Sequence, residues 1–124
     1  MAVEFAAWDE EIDPETHLVS VRGEVDLFTA PEFKQRIAGA IDAGRRRVIV
    51  DLNATTFIDS SSLGILISAD RRLRMQGGSL VIACEVPSIT KTFSITGLDG
   101  VLDVVATRRE ALAHEGNGAD LATT

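Results

Sequence analysis

The stretch Val48-Ile49-Val50-Asp51-Leu52-Asn53-Ala54-Thr55-Thr56-Phe57-Ile58-Asp59-Ser60-Ser61-Ser62-Leu63-Gly64 decides how this chain folds. Its first five residues make a short, near-continuous apolar run, the mark of a central strand covered on both faces. Asp59-Ser60-Ser61-Ser62 is a polar N-cap signal, since Asp and Ser oxygens accept the free amides of a first helical turn. Leu63, Leu66, Ile67 and Leu73 then share one broad face of a helix that ends near Gly77-Gly78. Arg71, Arg72 and Arg74 lie in its last turns, where cations oppose the negative end of the helix dipole and read as solvated.

The same alternation continues downstream. Residues 79–83 form a second buried strand, and Pro87-Ser88 opens a shorter helix with Ile89 and Phe93 one turn apart, closed by Gly97 with Leu98 behind it. Residues 101–105 are the last strand. Thr107 and Glu110 have capping-box spacing and start a terminal helix that fades into Gly116-Asn117-Gly118, so the last residues are expected to fray. Strand–helix alternation of this kind implies right-handed crossovers and parallel pairing.

Upstream, residues 3–8 and 17–22 are short β-prone segments flanking Asp9-Glu10-Glu11-Ile12-Asp13-Pro14-Glu15, which reads as an acidic turn between an antiparallel pair. Gly23-Glu24-Val25-Asp26 is expected to break the second strand. Thr29-Ala30-Pro31-Glu32 matches a capping box with Pro in the first turn. Phe33, Ile37, Ala40 and Ile41 recur at helical spacing after it, leaving Lys34, Gln35 and Arg36 outside, and Gly44 sits where a left-handed C-terminal cap is wanted.

Composition bounds the function. The 124 residues, 45% hydrophobic and 25% charged, suit one globular domain with a core. Twelve bases against nineteen acids give a net charge of −7, the wrong sign for tracking nucleic-acid phosphates or an anionic membrane. Residues 1–30 carry eight acids and one base, Arg22, so the whole excess lies there. No apolar run approaches the roughly 20 residues of a membrane span, and the first residues lack the pattern of a signal peptide, so a cytoplasmic location is expected. Cys84 has no Cys partner and reads as a small buried apolar residue, while His17 and His114 lie far apart in sequence; no metal site is expected.

Three consecutive serines between a strand and a helix could be a structural cap and nothing more. Their surroundings say otherwise. Phe57-Ile58-Asp59-Ser60-Ser61-Ser62-Leu63-Gly64, placed after 48–52, resembles the phosphorylatable segment of bacterial anti-sigma factor antagonists, members of the STAS domain family. Gly23-Glu24-Val25-Asp26, Gly77-Gly78-Ser79-Leu80-Val81-Ile82 and Phe93-Ser94-Ile95-Thr96-Gly97-Leu98 resemble further segments of that family in the same order, over roughly residues 3–112.

The resemblance implies an α/β fold: a single STAS-type domain over residues 1–114, a mixed central β-sheet flanked by about four helices, with 115–124 a frayed tail. It implies a non-enzyme without cofactors. In the family an anti-sigma factor that is also an ATP-dependent serine kinase phosphorylates the second serine of Asp-Ser-Ser, which matches Ser61, with Ser60 and Ser62 as alternatives. The unphosphorylated form binds that partner and frees the sigma factor; phosphorylation blocks binding, and a serine phosphatase restores it. ATP belongs to the kinase. Asp26, Asp59, Ser60, Ser62, Leu63 and Gly64 are the partner-contacting positions implied. Ser62 stands where the family usually has Gly.

The physics of the segment suits that role. A phosphoserine adds about −1.5 to −2 charges, which a helix N-terminus tolerates, whereas a partner surface matched to neutral hydroxyls does not. A serine hydrolase would need a base held on the nucleophile and an oxyanion hole, and Ser61 is not in a Gly-x-Ser-x-Gly turn. Gly97-Leu98-Asp99-Gly100 lacks the Lys-Ser or Lys-Thr of a phosphate-binding loop. A non-switching scaffold subunit of a stress-signalling or lipid-transport assembly shares the fold and is the other reading; the serine loop with its Asp favours the switch.

Overall fold

A computed structural model of the chain describes residues 4–114. Among these, five strands form one sheet in sequential order, β1 (Ala6–Asp13), β2 (Thr16–Val25), β3 (Arg47–Ile58), β4 (Ser79–Ala83) and β5 (Asp103–Val105). β1 runs antiparallel to β2, and β2 through β5 are parallel. Helices α1 (Ala30–Asp42), α2 (Ser60–Met75) and α3 (Pro87–Thr96) are the crossovers, and α4 (Arg108–Ala113) follows β5. Sequential parallel order with crossovers of one hand stacks α1, α2 and α3 on one face of the sheet.

The core divides accordingly. Val19, Val21, Val48, Val50, Leu52, Leu80, Ile82 and Cys84 point at the three-helix layer and meet Phe33, Ile37, Leu66, Leu73, Ile89 and Phe93. The alternate residues Leu18, Ile49, Val81 and Ala83 point the other way, where α4 covers them with Ala111. Residues 48–50 are fully buried because β3 lies in the middle of the sheet, as the apolar run required. Cys84 is a buried free thiol at the end of β4, as expected.

Several boundaries differ from expectation. The acidic run 9–15 is mostly strand: β1 extends to Asp13, and only Pro14 and Glu15 turn. Strong charge suits an exposed edge strand as well as a loop, and the long-range pairs Asp9–Arg36 (2.6 Å) and Glu11–Arg45 (2.7 Å) hold the hairpin to the α1 side. The turn itself closes on Asp13, whose Oδ1 accepts from the amides of Glu15 and Thr16. The 23–26 segment ends β2 only at its third residue, Val25. Gly23, at φ +87°, absorbs a register shift while the strand pairs on to Val25 opposite Ile58. β3 likewise runs past Leu52 to Ile58, where residues 53–58 pair with the end of β2. The last strand starts at Asp103 rather than at residue 101.

Among the described residues, two of the four α-helices have a side-chain N-cap, Asp59 on α2 and Thr107 on α4, whereas Thr29 and Val86 before α1 and α3 make none. Gly44 and Gly97 take the left-handed conformation expected of them, and the Thr107 hydroxyl accepts from the Glu110 amide at 3.1 Å. Thr29 does not form its capping box: its hydroxyl accepts from the Asp26 amide (2.9 Å) and donates to the Glu24 carbonyl (3.0 Å), tying the preceding loop instead. Gly78 is required by contact, since a Cβ there would lie 2.2 Å from the Arg46 carbonyl oxygen. Gly116 to Gly118 and the expected frayed tail lie outside the described residues.

Candidate functional site

The C-terminal ends of β2 and β3 lie side by side, Val25 opposite Ile58, and each leads into the N-terminus of a helix. The β2–α1 loop and the serine run therefore meet at one edge of the sheet, the usual place for binding sites on parallel sheets.

Asp59 is the N-cap of α2, with extended backbone (φ −115°, ψ −175°). Its Oδ1 accepts from the amides of Ser61 (3.1 Å) and Ser62 (3.2 Å) and from both hydroxyls, Ser61 Oγ at 2.6 Å and Ser62 Oγ at 3.2 Å. The Ser61 hydroxyl above all, with these amides, holds the Asp59 carboxyl below the usual carboxylate range. One carboxylate thus caps the helix and orients two serines.

The three serines part company in their surroundings. Ser60 is exposed and Ser61 half-buried, with its hydroxyl donated to Asp59. Ser62 is fully buried, and its hydroxyl donates to the Val25 carbonyl at 2.9 Å. That bond stitches the start of α2 to the end of β2. The expectation of Ser62 as a surface contact is thereby corrected: at this helical position the side chain points under the first turn, toward the neighbouring strand.

Leu63 is half-buried and packs on the core, whereas Gly64 is exposed, with open space where a Cβ would stand. Asp26 lies one residue beyond the carbonyl that Ser62 binds. Its own Oδ1 accepts from the Phe28 (2.9 Å) and Thr29 (3.1 Å) amides, so this carboxylate shapes the loop in front of α1.

Beside these groups the structure reveals three residues missed in the sequence. Leu27 (71% exposed), Phe28 (89%) and Phe57 (48%) are large apolar side chains in solvent on the β2–α1 loop and the end of β3. Phe57 pairs in register with Glu24, two residues before Asp26. The available signal was a pair of apolar residues, 27 and 28, lying outside the 3.6-residue period of the helix that follows. Large apolar side chains left in solvent near one end of the sheet are the kind of feature that contact surfaces use.

Neither histidine stands at the serines. His17 Nε2 lies 2.8 Å from Asp9 Oδ2 on the hairpin, and His114 Nε2 lies 3.9 Å from Asp103 Oδ2 beyond β5. Arg72 and Arg74 are exposed but paired, with Asp42 (2.7 Å) and Asp70 (2.9 Å). Among the described residues no cluster of three or more His, Cys, Asp or Glu could hold a metal ion, and no helix is long and apolar enough to cross a membrane.

Known proteins resemble this chain in sequence and fold. The STAS domain family model matches residues 7–111. BtrV of Bordetella bronchiseptica, a protein that carries the name of an anti-sigma factor antagonist, is 30% identical over 97 residues, spanning 77% of this chain and 83% of that protein. The crystal structure of an anti-sigma factor antagonist from Mycobacterium paratuberculosis superposes with a TM-score of 0.82 at 27% identity, covering 89% of this chain and 92% of that one. The Bacillus cell fate determinant SpoIIAA, in its phosphorylated form, superposes with a TM-score of 0.70 at 27% identity over 87% of this chain and 97% of that one.

Proposed function

The chain belongs to the STAS domain family, and from that premise we propose that it is an anti-sigma factor antagonist switched by phosphorylation of Ser61. Unmodified, it binds an anti-sigma factor that is also a serine kinase, and so releases a sigma factor. Phosphorylated, it lets go. A serine phosphatase resets it, and the chain contacts neither DNA nor membrane and catalyses nothing itself.

The observation that carries this reading is the sorting of the serine run. Ser62 is locked beneath the helix by the Val25 carbonyl, while Ser61 is half-buried with its hydroxyl hydrogen-bonded to Asp59, and the exposed Leu27 and Phe28 lie on the loop that follows Val25. Phe28, Leu27 and Phe57 supply the apolar part of a partner footprint, and Ser60, Ser61 and the bare Gly64 its close-approach centre. A partner that buries this centre meets neutral hydroxyls in the unmodified state. After modification it must desolvate a dianion next to Asp59, which costs several kcal/mol without a compensating base.

Regulation of transcription then proceeds through competition between proteins, which an acidic chain can do without touching nucleic acid. The relatives' names agree with this role, and one similar structure is of a phosphorylated antagonist.

Incubation with a cognate anti-sigma kinase and ATP, followed by mass-spectrometric mapping, should place one phosphate on Ser61. Phosphate on none of Ser60, Ser61 and Ser62 would overturn the switch and leave the scaffold reading. Ser61→Ala should keep partner affinity yet resist modification, whereas Ser61→Asp should lose affinity by about tenfold or more, each tenfold being about 1.4 kcal/mol.

A further inference from the structure

Helices α1 and α2 both follow parallel strands and pack side by side, so they run in the same direction with their N-termini at the same end of the sheet. A surface groove of about 330 Å³ lies between them. Its floor is apolar, with Ile37 from α1 and Ile65 from α2, and it has one cation near each end. At the C-terminal end stands Arg72, already paired with Asp42 at 2.7 Å. Toward the N-terminal end stands Lys34, one turn into α1, sharing the groove with Ser61 in the first turn of α2. Lys34 is exposed, and among the described residues it has no ion-pair partner.

Ser61 donates its hydroxyl proton to Asp59 Oδ1 at 2.6 Å. Phosphoryl transfer from ATP forms an Oγ–P bond, breaks the bond between the γ-phosphorus and the oxygen that leaves with ADP, and releases that proton. The modified oxygen can no longer donate, and the phosphate faces the Asp59 carboxylate as a like charge. The other anion at this edge, Asp26, is turned to its own loop amides. The phosphate is therefore driven away from the cap, and the adjoining space is the groove that holds a free ammonium.

We propose that Lys34 is the built-in counter-charge of the modified Ser61, receiving the phosphate in the α1–α2 groove as Asp59 repels it. This rests on Ser61 being the acceptor. The consequence is regulatory. An adjacent cation stabilises the dianion over the monoanion, so the switch stays doubly charged through the neutral range despite Asp59. Held by two helices, the phosphate also occupies a fixed place over the first turn of α2, where a partner must approach.

The test installs phosphoserine at position 61 by genetic encoding, independent of any kinase, and follows the phosphate by phosphorus NMR through its second pKa, about 6 in a free phosphoserine. In the Lys34→Gln variant that pKa should rise by about 0.5 unit relative to the unsubstituted phosphoprotein, the size expected of one surface ion pair. Lys34→Arg should restore the lower value, and Asp59→Asn should lower it further. Identical titration of the Lys34→Gln and unsubstituted phosphoproteins would overturn the proposal. Lys34 is exposed, so the unmodified variants should melt together. Failure of the kinase to modify Ser61, or partner binding that survives the encoded phosphate, would refute the parent reading instead and leave this titration unaffected.

Discussion

At the scale of single residues, Ser62 shows how one buried hydroxyl joins the two halves of the site. It satisfies the Val25 carbonyl from within the first turn of α2, so removing it strands a buried acceptor. Ser62→Ala should lower unfolding stability by about 1–3 kcal/mol, measured by urea denaturation with Trp8 fluorescence, and should leave Ser61 phosphorylation intact. A stability unchanged within error would mean that water replaces the hydroxyl. Phe28 is the opposite case. Being almost wholly in solvent, it contributes little to the fold, so Phe28→Ser should leave the urea midpoint unmoved while weakening anti-sigma factor binding by about tenfold, as expected of an aromatic contact residue. The helix cap at 59–62 was legible in the sequence because Asp and Ser at a strand-to-helix junction have a definite capping chemistry. The division of labour among the serines was not. Which of three consecutive side chains points inward depends on the angle at which α2 leaves β3, which the neighbouring strand sets.

At the scale of elements, α2 carries a glycine that its packing does not require. Gly64 sits in the second turn, where a Cβ would meet nothing within 4 Å, and so weakens the helix relative to alanine. Gly64→Ala should stabilise the chain by about 0.5–1 kcal/mol in thermal or urea unfolding and, by filling the approach beside Ser61, should slow phosphorylation and reduce partner affinity. A variant that is both more stable and fully active would show that the bare surface has no role. The elements themselves were well marked where periodicity and caps agree, as in α2 from Asp59 to Gly77 and α3 ending at Gly97. They were misjudged where tertiary pairing overrides local signals. Residues 53–58 carry polar and small side chains, yet they extend β3 because the end of β2 offers a ladder for them. Thr29 has capping-box spacing, yet its hydroxyl is taken by the Asp26 turn.

At the scale of the whole molecule, the net charge of −7 is concentrated on the hairpin and the serine edge, and pH acts on it in a calculable direction. Asp9, hydrogen-bonded to His17, Asp13, bonded to the Glu15 amide, and Asp59, bonded to the Ser61 hydroxyl, all titrate below the ordinary carboxylate range when folded. Each therefore binds protons more weakly folded than unfolded, and the stability it contributes is present above about pH 4 and lost as pH falls through the folded values. Asp70 opposes them, because burial raises its carboxyl and protonation relieves that cost. With three groups against one, the urea midpoint should fall as pH drops below about 4, and Asp59→Asn should fall less steeply. A midpoint that rises with acidity would show Asp70 dominant.

The acidic edge strand has a second effect: like charges along β1 disfavour pairing of two copies edge to edge. The global architecture was readable because strand–helix alternation and a central apolar strand leave few parallel topologies. The exposure of Leu27, Phe28 and Phe57 was not, since it is the pairing of β2 with β3 that brings their two segments to the same end of the sheet.

The central claim is that charge on Ser61 decides partner binding, and calorimetric titration tests it most directly. The anti-sigma factor should be titrated into the unmodified chain and into the chain carrying encoded phosphoserine at 61. Saturable binding is predicted for the unmodified chain, with an affinity lower by about a hundredfold or more for the phosphoprotein, because the partner must desolvate a phosphate held in place beside Asp59 together with its Lys34 counter-charge. Equal affinity of the two forms would contradict that claim.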